Sequence, residues 1–310
     1  MHQLASRVTT RHLSRRGRAS LALLAAMLLI VATSGLATAV FHPGEYVAVH
    51  RGRTIQSVKE GLVRVACPSG DRVVSGGAYW HRQGQNGDPT LNAVIVSSSP
   101  STDTLGWFAV GANQDNEPLV FTVEAQCLPR GSIGKYHVFT ADRTVAAHTT
   151  VEAQPLCPSG EVVVTGGAAW HRTGHAPASG LSAELTTSVR WESWDAAGYN
   201  TGSSPLHLLV TSLCRPLAAV GSAVLESDTR TLAYGASAEI YLACASGYRI
   251  VGGGVYWTQS GSEVKDGQVR AAILSSTPTG DGTSWYGLGV QRDSRYLELV
   301  LNVFAYCYPA

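Results

Sequence analysis

Two short runs, Tyr79-Trp80-His81-Arg82 and Ala169-Trp170-His171-Arg172, set an indole beside an imidazole and a guanidinium. Such a grouping can hold a sugar or an aromatic ligand, with a flat apolar face and polar donors next to it. Trp80, His81, Arg82, Trp170, His171 and Arg172 are therefore candidate ligand-binding residues. Strand alternation offers a plainer reading, in which the tryptophans pack inside and the His-Arg pairs turn outward. The corresponding run Tyr256-Trp257-Thr258-Gln259 keeps the tryptophan and loses the polar pair, as a core residue would. Trp191, in Trp191-Glu192-Ser193-Trp194, has no such counterpart. It is a further candidate, either as an exposed patch or as a plug for a gap.

Signals for catalysis are missing. The chain has no G-x-S-x-G elbow, no H-E-x-x-H, no phosphate loop and no G-x-G-x-x-G after a strand. Asp88, Asp103, Asp115, Glu184, Glu192, Asp195, Glu263, Asp266 and Asp281 read mostly as loop acids, and no spacing pairs two of them for glycoside hydrolysis. No Cys-x-x-Cys and no EF-hand loop occurs, and no histidine sits at ligand spacing from a cysteine. No metal and no cofactor is expected.

The elements that must position these residues recur three times. Arg53-Thr54-Ile55, Arg143-Thr144-Val145 and Arg230-Thr231-Leu232 each precede a cysteine by 14 residues, at Cys67, Cys157 and Cys244. A glycine pair follows each cysteine (Gly76-Gly77, Gly166-Gly167, Gly253-Gly254), and then a tryptophan (Trp80, Trp170, Trp257). A second tryptophan comes later, at Trp107, Trp194 and Trp285. Four residues beyond it stands a glycine (Gly111, Gly198, Gly289), and six beyond it an amide (Asn113, Asn200, Gln291) that suits a turn. Each copy closes on a cysteine: Cys127, Cys214 or Cys307. The copies run from 42 to 130, 131 to 217 and 218 to 310. One bridge per copy is expected: Cys67–Cys127, Cys157–Cys214 and Cys244–Cys307.

Within a copy the period is two. In Phe121-Thr122-Val123-Glu124-Ala125-Gln126-Cys127 the apolar residues share one face, the pattern of a half-buried strand. Strands are expected at Leu62–Ala66, Val73–Trp80, Asn92–Ser97 and Trp107–Asn113, with turns at Gln83–Thr90, Ser98–Thr104 and Gln114–Pro118. No 3.6-residue apolar stripe is present, so the fold class is all-β. A glycine pair inside a strand marks a bulge or the close approach of another backbone. Three sheets meeting around an axis would need that approach three times.

Residues 1–18 hold five arginines and no acid, and a charge-free stretch from Ala19 to Phe41 follows, passing through Ala37-Thr38-Ala39. This is the form of a secretory signal over residues 1–39, with an N-terminal membrane anchor at 19–41 as the alternative. Ser14-Arg15-Arg16 hints at a twin-arginine signal but lacks the apolar residue that should follow. Without residues 1–39 the chain carries 18 basic and 22 acidic residues, a net charge of −4. That balance gives no footprint for nucleic acid.

The run Cys67-Pro68-Ser69-Gly70, Ser75-Gly76-Gly77 and Gly87-Asp88-Pro89-Thr90-Leu91-Asn92-Ala93-Val94-Ile95-Val96 resembles the repeat of the vitelline membrane outer layer protein I family. The resemblance implies a β-prism of three antiparallel repeats and an association with extracellular coats and carbohydrate. It is best over about 30 residues of the first copy and thins in the others, and the closing cysteines come later than the family pattern places them. Three serial β-sandwich domains are the alternative architecture. The expected function is that of a secreted, non-catalytic protein that binds a glycan or another cell-surface component. The contact loops would be Gln83–Thr90, Thr173–Gly180 and Gln259–Gly267. Alternatives are a polysaccharide-acting enzyme with loop carboxylates, or a purely structural exported protein.

Overall fold

The structure, a computed structural model, describes residues 46–84, 91–173, 182–220, 222–259 and 269–310. The expected signal segment 1–39 lies outside the described residues, as do most of the three expected contact loops, of which only Gln83, Gly84, Thr173 and Gln259 are described.

Each copy folds as six strands. The first holds β1 (Val47–Ile55), β2 (Lys59–Ala66), β3 (Asp71–His81), β4 (Ala93–Pro100), β5 (Gly106–Asn113) and β6 (Leu119–Pro129). The second holds β7 (His137–Val145), β8 (Thr150–Ala153), β9 (Glu161–His171), β10 (Ala183–Arg190), β11 (Trp194–Asn200) and β12 (Leu206–Pro216). The third holds β13 (Val224–Ala233), β14 (Ser237–Ala243), β15 (Tyr248–Gln259), β16 (Ala271–Pro278), β17 (Ser284–Gln291) and β18 (Glu298–Pro309). Two single-turn helices, α1 (Arg130–Ile133) and α2 (Leu217–Val220), join the copies.

The copies are not separate domains. Strands pair antiparallel in three six-stranded sheets, ordered β1-β6-β3-β16-β17-β14, β2-β5-β4-β9-β12-β7 and β13-β18-β15-β10-β11-β8. Every sheet thus takes three strands from one copy and three from another, in a cyclic exchange. The serial-sandwich alternative fails on this point, because no copy owns a complete sheet. A β-prism-like body of three shared sheets is the architecture.

The seams between copies explain the glycine pairs. Gly77, Gly167 and Gly254 face the backbone of the neighbouring copy: a Cβ on each would run into the carbonyl oxygen of Ser276, Ser98 and Ser188 respectively. These serines form the seam bridges Ser276↔Ala78, Ser98↔Ala168 and Ser188↔Val255. With Ser98 engaged at the seam, β4 runs on to Pro100, where the turn-rich residues from Ser98 predicted a turn. The first glycine of each pair is a socket for the second tryptophan, a Cβ on Gly76 coming 2.5 Å from the Trp107 ring. In return, a Cβ on Gly111 would come 2.5 Å from the Trp80 ring. Bulges fall at equivalent places in all copies, as at Val73/Ser75 and Ile250/Gly252, and turn two successive residues into the core.

Trp107, Trp194 and Trp285 meet around a central cavity of about 10 Å³ that Ser98, Ser188 and Ser276 also line, room for about one water. The Trp107 and Trp194 indoles donate to the Ser98 and Ser188 hydroxyls at 2.9 and 3.2 Å. The amides do close turns: the Asn113 side chain donates to the carbonyls of Ile55 and Glu117 and accepts from Asp115 N–H.

All three expected disulfides form, with Cα separations of 5.7, 5.8 and 5.7 Å. Cys67, Cys157 and Cys244 follow the second strand of a copy, whereas Cys127, Cys214 and Cys307 lie on its last strand, in another sheet. Each bridge therefore staples a corner between two sheets. It closes a loop of 57 to 63 residues, worth about 4 kcal/mol in the chain-entropy model. Such bonds match an oxidising environment.

Candidate functional site

The inner faces carry the same pattern of buried apolar residues three times, with Phe121, Leu208 and Leu301 at one equivalent position, so polar chemistry that differs between copies is sought on the outer faces. Trp80 and Trp170 are core residues, 0% and 2% exposed. The Trp80 indole donates to Val94 O at 3.1 Å, and its ring packs 4.6 Å from Phe121. Neither tryptophan offers a face to a ligand, so the indole-platform reading of Trp80 and Trp170 is replaced by the packing one. His81, Arg82 and Arg172 are partly or fully exposed, whereas His171 is buried on the outer face of its sheet. Arg82 is held by Glu117 at 2.7 Å and Asp115 at 3.5 Å. Arg172 is exposed.

Two outer-face clusters remain. The first is aromatic. Trp191, 40% exposed, sits in the turn after β10 and reaches across its own sheet onto β15 and β18. Its ring meets Phe304 at 4.9 Å and Tyr256 at 5.6 Å, edge to face. Tyr256 and Phe304 stack at 5.2 Å, with planes 8° apart. Arg190 extends the cluster, its guanidinium lying 4.1 Å over the Tyr306 ring and donating to Tyr308 Oη at 2.9 Å. Asn302, buried opposite Tyr256 in the strand register, donates to Thr258 Oγ1 at 3.1 Å. Loop length creates this patch. Pro100 and Pro278 pair with Trp107 and Trp285 across longer turns that contain Asp103 and Asp281, whereas Arg190 pairs with Trp194 across only three residues.

The second cluster surrounds His171. Thr144 on β7 stands opposite His207 on β12, and His207 stands opposite His171 on β9. Asp142, two residues before Thr144, shares that face and lies diagonal to His207. His171 Nε2 is 3.3 Å from Asp142 Oδ2, and His207 Nδ1 is 3.2 Å from Asp142 Oδ1. The two imidazoles stack at 4.9 Å, 18° from parallel. His171 Nδ1 donates to Arg172 O at 2.9 Å. Asp142 and His207 were not among the residues the sequence singled out. Comparing copies could have found them: Gly52 and Thr229 stand in place of Asp142, and Val120 and Val300 in place of His207.

The carboxylates form no open catalytic pair among the described residues. Glu184 and Asp195 lie on strands β10 and β11, not in loops. Burial, with the nearby Asp281 charge adding to it, pushes the Glu124 carboxyl up to about 7. Asp281 is held below its ordinary value by its own turn, accepting from Thr279 Oγ1 at 2.6 Å, Thr283 Oγ1 at 2.7 Å and Thr283 N at 3.0 Å. Burial and the adjacent Glu152 likewise push Asp195 up to about 7. Glu124 is only 6% exposed.

No family model matches the chain, and no curated protein matches it. No described helix is long and apolar enough to cross a membrane.

Proposed function

We propose that this is a secreted, non-catalytic contact protein whose outer sheet face binds a glycan of an extracellular coat or cell surface. The observation that carries this reading is the Trp191 ring, left 40% exposed and braced edge-on against the Tyr256–Phe304 stack. A braced and exposed aromatic plane suits the apolar face of a sugar ring. The likeness of Cys67–Val96 to the repeat of a coat-associated family points the same way. The arginine-rich start followed by Ala37-Thr38-Ala39 supports export by a cleaved signal, after which no membrane span is left in this reading.

The test is a saccharide array probed with the chain lacking residues 1–39. Wild-type protein should bind at least one polysaccharide class, and Trp191→Ala should abolish that binding while leaving the near-ultraviolet circular dichroism intact. Equal binding by folded Trp191→Ala overturns the site. An array with no bound saccharide overturns the ligand class.

A further inference from the structure

The first two copies carry the same histidine with different neighbours. His81 Nδ1 donates to Arg82 O at 3.0 Å, as His171 Nδ1 does to Arg172 O at 2.9 Å. A carbonyl oxygen only accepts, so in both rings Nδ1 holds the proton and a neutral imidazole presents a lone pair at Nε2. In the first copy that lone pair meets the Thr122 hydroxyl at 3.1 Å, a group able to donate. In the second copy Leu209 occupies the place of Thr122. There the lone pair faces the Asp142 carboxylate at 3.3 Å, which when ionised only accepts. Two facing acceptors require a cation between them.

A proton could serve one ring. The His207 ring needs no added proton, since its neutral Nδ1–H tautomer donates to Asp142 Oδ1 at 3.2 Å. A single divalent ion serves both neutral rings and the carboxylate at once. The ligand atoms of Asp142, His171 and His207 all lie within 4.8 Å of one another. The separations of 3.3 and 3.2 Å run to different Asp142 oxygens, so one tetrahedral ion, whose ligand atoms lie about 3.3 Å apart for metal bonds of about 2.0 Å, needs the carboxylate to turn one oxygen toward both rings. The His171 Nδ1–H bond to a backbone carbonyl is the outer-shell contact that orients a ligating imidazole. Side-chain exposure rises from 8% at His171 to 23% at His207 and 35% at Asp142, so the site opens to solvent on one side.

We infer that Asp142, His171 and His207 form a binding site for one divalent transition-metal ion of the zinc class. The donor set of two nitrogens and one oxygen favours zinc, cobalt, nickel or copper over calcium or magnesium, which take oxygen ligands. Three protein ligands leave a further position for water. The ion would tie the edge strand β7 to β12 and β9, and only in the second copy.

The site can be tested with substitutions that the frame already accepts, since Val120 and Val300 stand where His207 does and Thr229 where Asp142 does. Chelator-stripped, disulfide-intact chain lacking residues 1–39 is titrated with zinc by calorimetry and with cobalt by visible absorption. Wild type should bind one zinc ion per chain, and cobalt should develop a d–d band that excess magnesium or calcium leaves unchanged. His207→Val and Asp142→Thr should each weaken zinc binding by at least about tenfold, and His81→Ala should leave it unchanged. Absence of saturable one-to-one binding overturns the site, as does wild-type affinity in folded His207→Val and Asp142→Thr. Neither outcome bears on Trp191, which belongs to another sheet.

Discussion

His81 and His171 occupy the same place on β3 and β9, each one residue beyond a buried tryptophan and each donating to the next carbonyl. Around His81 the neighbours are Gly52, Val120 and Thr122; around His171 they are Asp142, His207 and Leu209. The frame is repeated while the surface it carries has changed. A substitution inside meets two packed neighbours and often a second copy's backbone. A substitution outside meets water and one or two side chains. This contrast in constraint allows three copies with one core to carry different outer faces.

The contrast is open to measurement, most severely at the seams. Gly77→Ala should cost more than about 4 kcal/mol and leave little soluble protein, because the added methyl meets the Ser276 and Thr277 backbone. Near-normal denaturant midpoints for this variant would show that the seam can widen. The next effect compares two tryptophans. Trp80→Ala should cost about 3–5 kcal/mol by urea unfolding, and Trp191→Ala about 1 kcal/mol or less. Equal losses would dissolve the distinction between frame and surface.

A third, graded effect is the pH dependence of Glu124. Its folded-state value of about 7 lies above the carboxyl's ordinary 4.5, so the folded chain holds that proton more tightly. The contribution is complete below about pH 4.5 and is lost as the pH rises through 7. Stability should therefore fall between about pH 5 and 8, by at most about 3 kcal/mol from this group. Glu124→Gln should flatten the slope of melting temperature against pH. A residual slope of the same sign is expected from Asp195, which is raised for the same main reason. An unchanged slope in Glu124→Gln would place the titration elsewhere.

Much of the frame was legible because it is repeated. Coincident offsets of cysteine, glycine pair and tryptophan gave the copies, and cysteines with one equivalent partner per copy gave the bridges. Glycine pairs in strands required a close approach, and the seams supply it. The outer face was harder to read. His171 stood out beside Trp170, but Asp142 and His207 come 29 residues before it and 36 after it. Only the register Thr144↔His207↔His171 joins them. Trp191 was visible as an unmatched residue, although Tyr256 and Phe304, which brace it, belong to the next copy.

Local chemistry in the chain was enough to set most of the strands and the sulfur pairs, since alternation and equivalent cysteines act within one copy. Which copy shares a sheet with which was settled only in three dimensions. A half-sheet of three strands leaves an unpaired edge, and hydrogen bonding satisfies that edge equally well from any suitable strand. Packing three glycine-notched edges around one core selects the cyclic exchange. That exchange also decides which distant side chains become neighbours on the outside.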